Sequence, residues 1–152
     1  MSIEPIEFGS LISQGRGEPL PRKKSPRDKA LRGVKVLVAD DDDEGREMLA
    51  EVLTEENGWH VLQASNGTQA YDLAIRERPH ALVLDQRMPG LVGTDVVLKL
   101  REAGHSIPVV IVTAVRDARE LVESVGIEVC LVKPYGYDQL IDAVRRVTRL
   151  PG

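Results

Sequence analysis

Four apolar runs in this chain end in residues that could do chemistry together. Ala81-Leu82-Val83-Leu84 is closed by Asp85, after which Gln86-Arg87-Met88-Pro89-Gly90 turns the chain sharply. Val36-Leu37-Val38-Ala39 is closed by Asp40-Asp41-Asp42-Asp43. Val109-Val110-Ile111-Val112 ends in Thr113, and Cys130-Leu131-Val132 ends in Lys133. In an open parallel sheet, ligands bind at the carboxyl ends of the strands. Read as such strands, these runs deliver acids, a hydroxyl and an ammonium to one edge. That set suits holding a divalent cation and placing a phosphoryl group on a carboxylate.

Consecutive aspartates also have a purely structural use. One can cap the helix that follows, and acids in a first turn gain about 0.3–1 kcal/mol each from the helix dipole. This accounts for Asp42 or Asp43 but leaves Asp40 and Asp41 unexplained at the strand end beside Asp85. Carboxylates about 4 Å apart repel by about 4 kcal/mol per pair at an effective dielectric near 20. Three sharing a site must protonate or recruit a cation. A lone strand-end Thr is ordinarily structural, and a lone Lys is ordinarily solvated. Thr113 and Lys133 rise above those readings because they share the acid-bearing edge.

The elements that must position these groups alternate from Val34 onward. Apolar runs at 34–39, 59–64, 80–84, 108–113 and 128–132 predict strands, and the stretches at about 43–56, 67–78, 93–103, 116–125 and 137–149 predict helices. Leu49, Val52 and Leu53, then Ala70, Leu73 and Ala74, recur at the i, i+3, i+4 spacing of a buried helix face. Asn57-Gly58 supplies a residue type that tolerates the left-handed geometry of a helix end. Pro79 and Pro108 mark re-entry into strands. The strand runs are continuous rather than alternating, as expected when helices cover both faces of a parallel sheet. Right-handed crossovers then wind the chain into a five-stranded, doubly wound α/β domain over 34–150.

Residues 1–33 read differently. They hold Pro5, Pro19, Pro21, Pro26, Gly9, Gly15, Gly17 and Gly33 with little periodicity, and predict a disordered extension. The extension is basic, through Arg16, Arg22, Lys23, Lys24, Arg27, Lys29 and Arg32, whereas the chain as a whole has a net charge of -4. An acidic domain is a poor general binder of nucleic acid, so no direct nucleic-acid contact is expected. The single cysteine excludes an internal disulfide framework and fits a reducing compartment. The N-terminus lacks the apolar core of a secretory signal, and no run approaches the roughly 20 residues of a membrane helix. A cytoplasmic protein without membrane insertion is the expectation.

The ordered set Asp40-Asp41, Asp85 with Met88-Pro89-Gly90 and Gly93, Thr113-Ala114, and Lys133-Pro134 resembles the receiver domain of bacterial two-component response regulators. The resemblance covers everything but the basic extension. It implies a flavodoxin-like sheet of strand order 2-1-3-4-5. It implies that Asp85 is the phosphoacceptor and that Asp41, Asp85 and the backbone carbonyl of Arg87 coordinate Mg²⁺, with Asp40 acting mainly through bound water. Thr113 then bonds a phosphoryl oxygen, and Lys133 pairs with the carboxylate or phosphoryl group. The family's Lys-Pro bond is usually cis, here Lys133-Pro134. The implied donor is a sensor histidine kinase or phosphotransfer protein, and the implied output is docking to a downstream protein target. Only Leu150-Pro151-Gly152 follows the last predicted helix, so a stand-alone receiver is expected. The protein would catalyse nothing beyond its own phosphorylation and dephosphorylation.

The chain departs from the family pattern at the position three before the Lys, where an aromatic is common and Cys130 stands here. Cys130 reads as a small buried apolar residue rather than a redox thiol. The Thr113 to Lys133 interval is also two residues shorter than is common. These changes fall on the face that reports phosphorylation and keep a phosphorylation-independent interaction module open as an alternative. An aspartate-nucleophile phosphatase is a further alternative, since Asp40-Asp41-Asp42 contains an Asp-x-Asp pattern; Glu44-Gly45 and an acceptor on the third strand speak against it. His60, His80 and His105 have no metal-ligand spacing, and Trp59 reads as packing.

Overall fold

Runs of Val, Leu, Ile and Ala form five strands, β1 (Lys35–Ala39), β2 (His60–Ala64), β3 (Ala81–Asp85), β4 (Val109–Thr113) and β5 (Val129–Val132). They pair in parallel in the order β2-β1-β3-β4-β5. The computed structural model describes residues 33–114, 123, 125–127 and 129–148. Among these, four helices alternate with the strands: α1 (Asp43–Asn57), α2 (Gly67–Glu77), α3 (Gly93–Glu102) and α4 (Tyr137–Val147). The expected disordered extension falls outside the described residues except for Gly33, as does most of the helix expected at 116–125.

Period-two geometry sends alternate residues of each strand to opposite faces. Val36, Val38, Val83, Val110 and Val112 pack with Leu49, Leu53, Trp59, Leu140 and Val144, so α1 and α4 cover one face. Leu37, Leu82, Leu84 and Ile111 pack with Ala70, Ala74, Val96, Val97 and Leu100, so α2 and α3 cover the other. Both faces being dry is why the runs lack polar alternation. Each fully buried Leu or Val contributes about 1.5–3 kcal/mol. Trp59 is packing, as its sequence position suggested, and is 1% exposed.

Local chemistry sets the element ends. Asn66 Oδ1 accepts the Gln69 N–H at 2.8 Å and caps α2. Gly58, at φ 68°, ends α1 with its N–H donated to the Thr54 carbonyl at 2.7 Å. Arg78 ends α2 at φ 48°, the left-handed region that costs a non-glycine residue about 1–2 kcal/mol. His80 accepts the Lys35 N–H on Nδ1 at 3.0 Å and is an edge residue rather than a ligand. The expectation that Asp42 or Asp43 caps α1 through its side chain needs correction. Asp42 occupies the cap position, yet its side chain makes no capping bond. None of the described helices is long and apolar enough to cross a membrane.

Candidate functional site

Because all five strands are parallel, their carboxyl ends lie along one edge, where the sequence had placed its chemistry. Asp85 is the last residue of β3, with Val112 as its register partner on β4. Thr113 ends β4 beside Val132 and is fully buried. Lys133 follows β5 immediately, and its backbone N–H bonds the Thr113 carbonyl at 2.8 Å, which ties these two positions together. The Lys133–Pro134 peptide is cis, as the resemblance implied.

Asp40, Asp41 and Asp85 each offer a carboxylate oxygen, and these oxygens lie within 4.8 Å of one another. Asp40 and Asp85 are 8% and 7% exposed, whereas Asp41 is open to solvent. Lys133 Nζ donates to Asp85 Oδ2 at 3.0 Å, and the Arg87 N–H donates to Asp85 Oδ1 at 3.2 Å. Both oxygens of Asp85 are therefore addressed from different elements. Arg87 itself is exposed and opens the turn after β3.

The charges are unbalanced. Burial raises the Asp40 pKa, helped by the negative charge of Asp85, and the Asp42 N–H and Lys133 only partly offset this. For Lys133 burial favours the neutral amine. The hydrogen bond to Asp85 and the charges of Asp85, Asp40 and Asp41 outweigh it, so the ammonium form is stabilised. One ammonium among three carboxylates leaves the site short of positive charge, and all its donors are hard oxygens, the ligand type preferred by Mg²⁺.

Several residues here were not singled out from sequence. A cleft of about 560 Å³ opens beside the acids, lined by Asp40, Asp42, Leu49, Lys133, Tyr135 and Tyr137 among others. Burial, with the charge of Asp40 next, pushes the Tyr135 phenol up to about 12, so it is a neutral hydrogen-bonding group at neutral pH. Gln86, directly after Asp85, is buried; its Oε1 accepts the Thr94 N–H at 2.9 Å and its Nε2 donates to Thr94 Oγ1 at 3.1 Å. This reciprocal pair caps α3 from outside, since Val92 at the cap position cannot. Gly93 permits the approach, because a Cβ there would lie 2.9 Å from the Asp85 carbonyl. Arg46 bonds the carbonyl of Asp40. An Arg three residues after an Asp on a helix is a readable pair signal; Gln86 and Tyr135 carry no comparable one. Cys130 is half-buried and packs against the α2–α3 cluster.

The chain matches the response regulator receiver domain over residues 36–145. It is 34% identical to sporulation initiation phosphotransferase F of Bacillus subtilis over 114 residues, covering 74% of this chain and 91% of that protein. It is 36% identical to the response regulator MprA of Mycobacterium leprae over 118 residues, 76% of this chain but only 51% of that regulator, so it spans about half the regulator's length. Among solved structures, the response regulator TrrA of Thermotoga maritima, determined in complex with Mg²⁺ and BeF, superposes with a TM-score of 0.69 at 29% identity, covering 75% of this chain and 98% of that one. With the strand order, the ordered motifs and these similarities in agreement, the chain belongs to the response regulator receiver domain family.

Proposed function

We propose that Asp85 is the phosphoacceptor of a single-domain response regulator. The observation that carries this reading is the convergence of Asp40, Asp41 and Asp85 within 4.8 Å, with Lys133 Nζ 3.0 Å from Asp85 Oδ2. A carboxylate oxygen of Asp85 forms a new P–O bond as the P–N bond of a donor phosphohistidine breaks, and the electron pair returns to the imidazole nitrogen. Transfer of this kind is loose, so catalysis is largely positioning and charge neutralisation. Lys133 holds a point charge against Asp85, and the Arg87 N–H orients the same carboxylate. Thr113 supplies its hydroxyl to a phosphoryl oxygen after transfer. Asp40, Asp41, Asp85 and the backbone carbonyl of Arg87 would hold Mg²⁺, which supplies further charge neutralisation when bound. That TrrA was solved with Mg²⁺ and a beryllium fluoride species supports this use of the site.

The donor in this reading is a sensor histidine kinase or phosphotransfer protein in the cytoplasm, and the output is docking to a downstream protein. Purified protein incubated with Mg²⁺ and a small acyl phosphate should gain the mass of one phosphoryl group, and Asp85→Asn should gain none. Turnover of the donor far beyond stoichiometry would favour a phosphatase instead. Absence of labelling would favour a phosphorylation-independent module.

A further inference from the structure

Arg46 stands in the first turns of α1, three residues after Asp43, and spends all three guanidinium nitrogens on the acidic loop and its surroundings. Nη1 donates to the Asp40 backbone carbonyl at 2.8 Å, Nη2 pairs with Asp43 Oδ1 at 2.8 Å, and Nε donates to Gln63 Oε1 at 3.1 Å. Its side chain is 11% exposed. Gln63 lies on β2, so a single planar group joins the end of β1, the start of α1 and the neighbouring strand.

The direction of these bonds matters more than their number. Arg46 is a cation beside four consecutive aspartates, yet its three nitrogens go to the Asp40 carbonyl, Asp43 and Gln63 rather than to the carboxylates of Asp40, Asp41 or Asp85. It neutralises Asp43 and holds Asp40 through the main chain. Asp40 is fixed by two further bonds of its own: its N–H donates to the Ala64 carbonyl at 3.1 Å, and its Oδ1 accepts the Asp42 N–H at 2.9 Å. The loop that presents Asp40 and Asp41 is thereby clamped while its outward oxygens stay available to a metal ion. We infer that Arg46 is a positioning residue for Mg²⁺: it sets the Asp40–Asp41 backbone so that both carboxylates meet Asp85, without touching the ion.

This inference rests on the proposed Mg²⁺ site. Groups that orient metal ligands typically alter metal affinity by roughly 10- to 100-fold when removed. Because Arg46 acts through the backbone of a ligand residue, the low end of that range, roughly tenfold, is expected. A lysine keeps the charge but cannot reproduce the planar fork.

The test is Mg²⁺ titration by calorimetry on the full chain, with the wild type, Arg46→Ala, Arg46→Lys and Gln63→Ala, alongside thermal melts without metal. Arg46→Ala should weaken Mg²⁺ about tenfold, Arg46→Lys by an intermediate factor and Gln63→Ala least. Phosphorylation rates of Arg46→Lys should return towards wild type at saturating Mg²⁺, which a general loss of folding would not allow. Should Arg46→Ala fail to fold, Arg46→Lys and Gln63→Ala carry the same ordering. Wild-type protein that binds no Mg²⁺ would overturn the proposed site and this inference together. Tight wild-type binding with unchanged affinity in the Arg46 variants would overturn this inference alone.

Discussion

Asp85 and Lys133 touch at 3.0 Å, yet the strands that deliver them have unlike surroundings. Every residue of β3 is buried, with neighbours β1 and β4 on both sides. All four residues of β5 are only half-buried, and β5 is the last strand of the sheet. The side chain of Asp85 is 9% exposed and that of Lys133 is 39% exposed. The acid half of the site is thus set in the middle of the core, and the cationic half arrives from an edge. A group that must keep its geometry gains from the first placement. A group that would shift from carboxylate to phosphoryl oxygen, as proposed for Lys133, gains from the second, because it displaces little packing when it moves.

The largest effect expected on this contrast is chemical. Asp85→Asn should remove labelling entirely, since a neutral amide is a poor nucleophile and a weaker metal ligand, while leaving the fold intact. Intact-mass measurement after treatment with Mg²⁺ and acyl phosphate reads this directly. The packing version compares Leu82→Ala on β3 with Leu131→Ala on β5. Leu82 is 0% exposed, and its truncation should cost about 2–5 kcal/mol, the usual range for a buried leucine. Leu131 is half-buried, so its truncation should cost about 1–2 kcal/mol. Urea unfolding of both variants checks the ranking, and equal costs would remove the distinction between centre and edge.

The contrast also explains what could be read from sequence. The helix and strand positions agree within about two residues wherever they are described, because the strands are largely apolar runs and most breaks carry Asn-Gly or Pro. The strand expected at 80–84 runs instead over Ala81–Asp85. Asp85 belongs to the strand because Gln86 N–H continues the ladder to the Val112 carbonyl at 2.9 Å. The acids and Lys133 were legible because their types alone are costly at such strand ends. The groups that hold them were not. Asp42 looks like a capping residue, but cap bonding depends on a rotamer that residue type does not fix; its N–H goes to Asp40 Oδ1 instead. The Arg46–Asp43 pair is readable from its spacing, but the Arg46 bond to the Asp40 carbonyl and the Gln86 bond to the Thr94 N–H are not. Those contacts exist only once β1, β2 and α1, or β3 and α3, have been brought together.

A smaller effect tests the charge imbalance. Asp40 has its pKa raised above 3.8 in the folded state, so its folded form binds protons more readily than its unfolded form. Its ionisation therefore costs stability as pH rises through that raised value. Lys133 has the opposite sense. Its pKa is raised above 10.5, so its contribution is complete below that value and lost as pH climbs through the folded one. Asp40→Asn should stabilise the metal-free protein at neutral pH by about 1 kcal/mol, a fraction of the roughly 3–4 kcal/mol that two close carboxylates exert on each other at an effective dielectric near 20. It should also flatten the fall in stability that sets in as pH rises above 3.8. The asparagine keeps an oxygen for the Asp42 N–H, so the loop bond survives. Melting without Mg²⁺ across that pH range measures both effects, and a destabilised variant would show that Asp40 is held mainly by Lys133.

The smallest effect concerns the end of β3 remote from Asp85. Arg78 sits at φ 48°, two residues before His80 and just ahead of the strand, and is exposed. Its backbone N–H donates to the Ala74 carbonyl at 3.0 Å, a bond that any residue but proline can make. Glycine would keep that bond and remove the clash between Cβ and carbonyl that makes left-handed geometry costly. Glycine also enlarges the freedom of the unfolded chain, which offsets part of the gain. Arg78→Gly should therefore raise stability by only about 0.5–1 kcal/mol. Because Asp85 is anchored by the Gln86–Val112 ladder bond, by Lys133 and by the Arg87 N–H, the phosphorylation rate of this variant should equal that of the wild type. A changed rate would mean that strain at the entry to β3 is transmitted along the strand to Asp85, and that the centre of the sheet is less rigid than its burial implies.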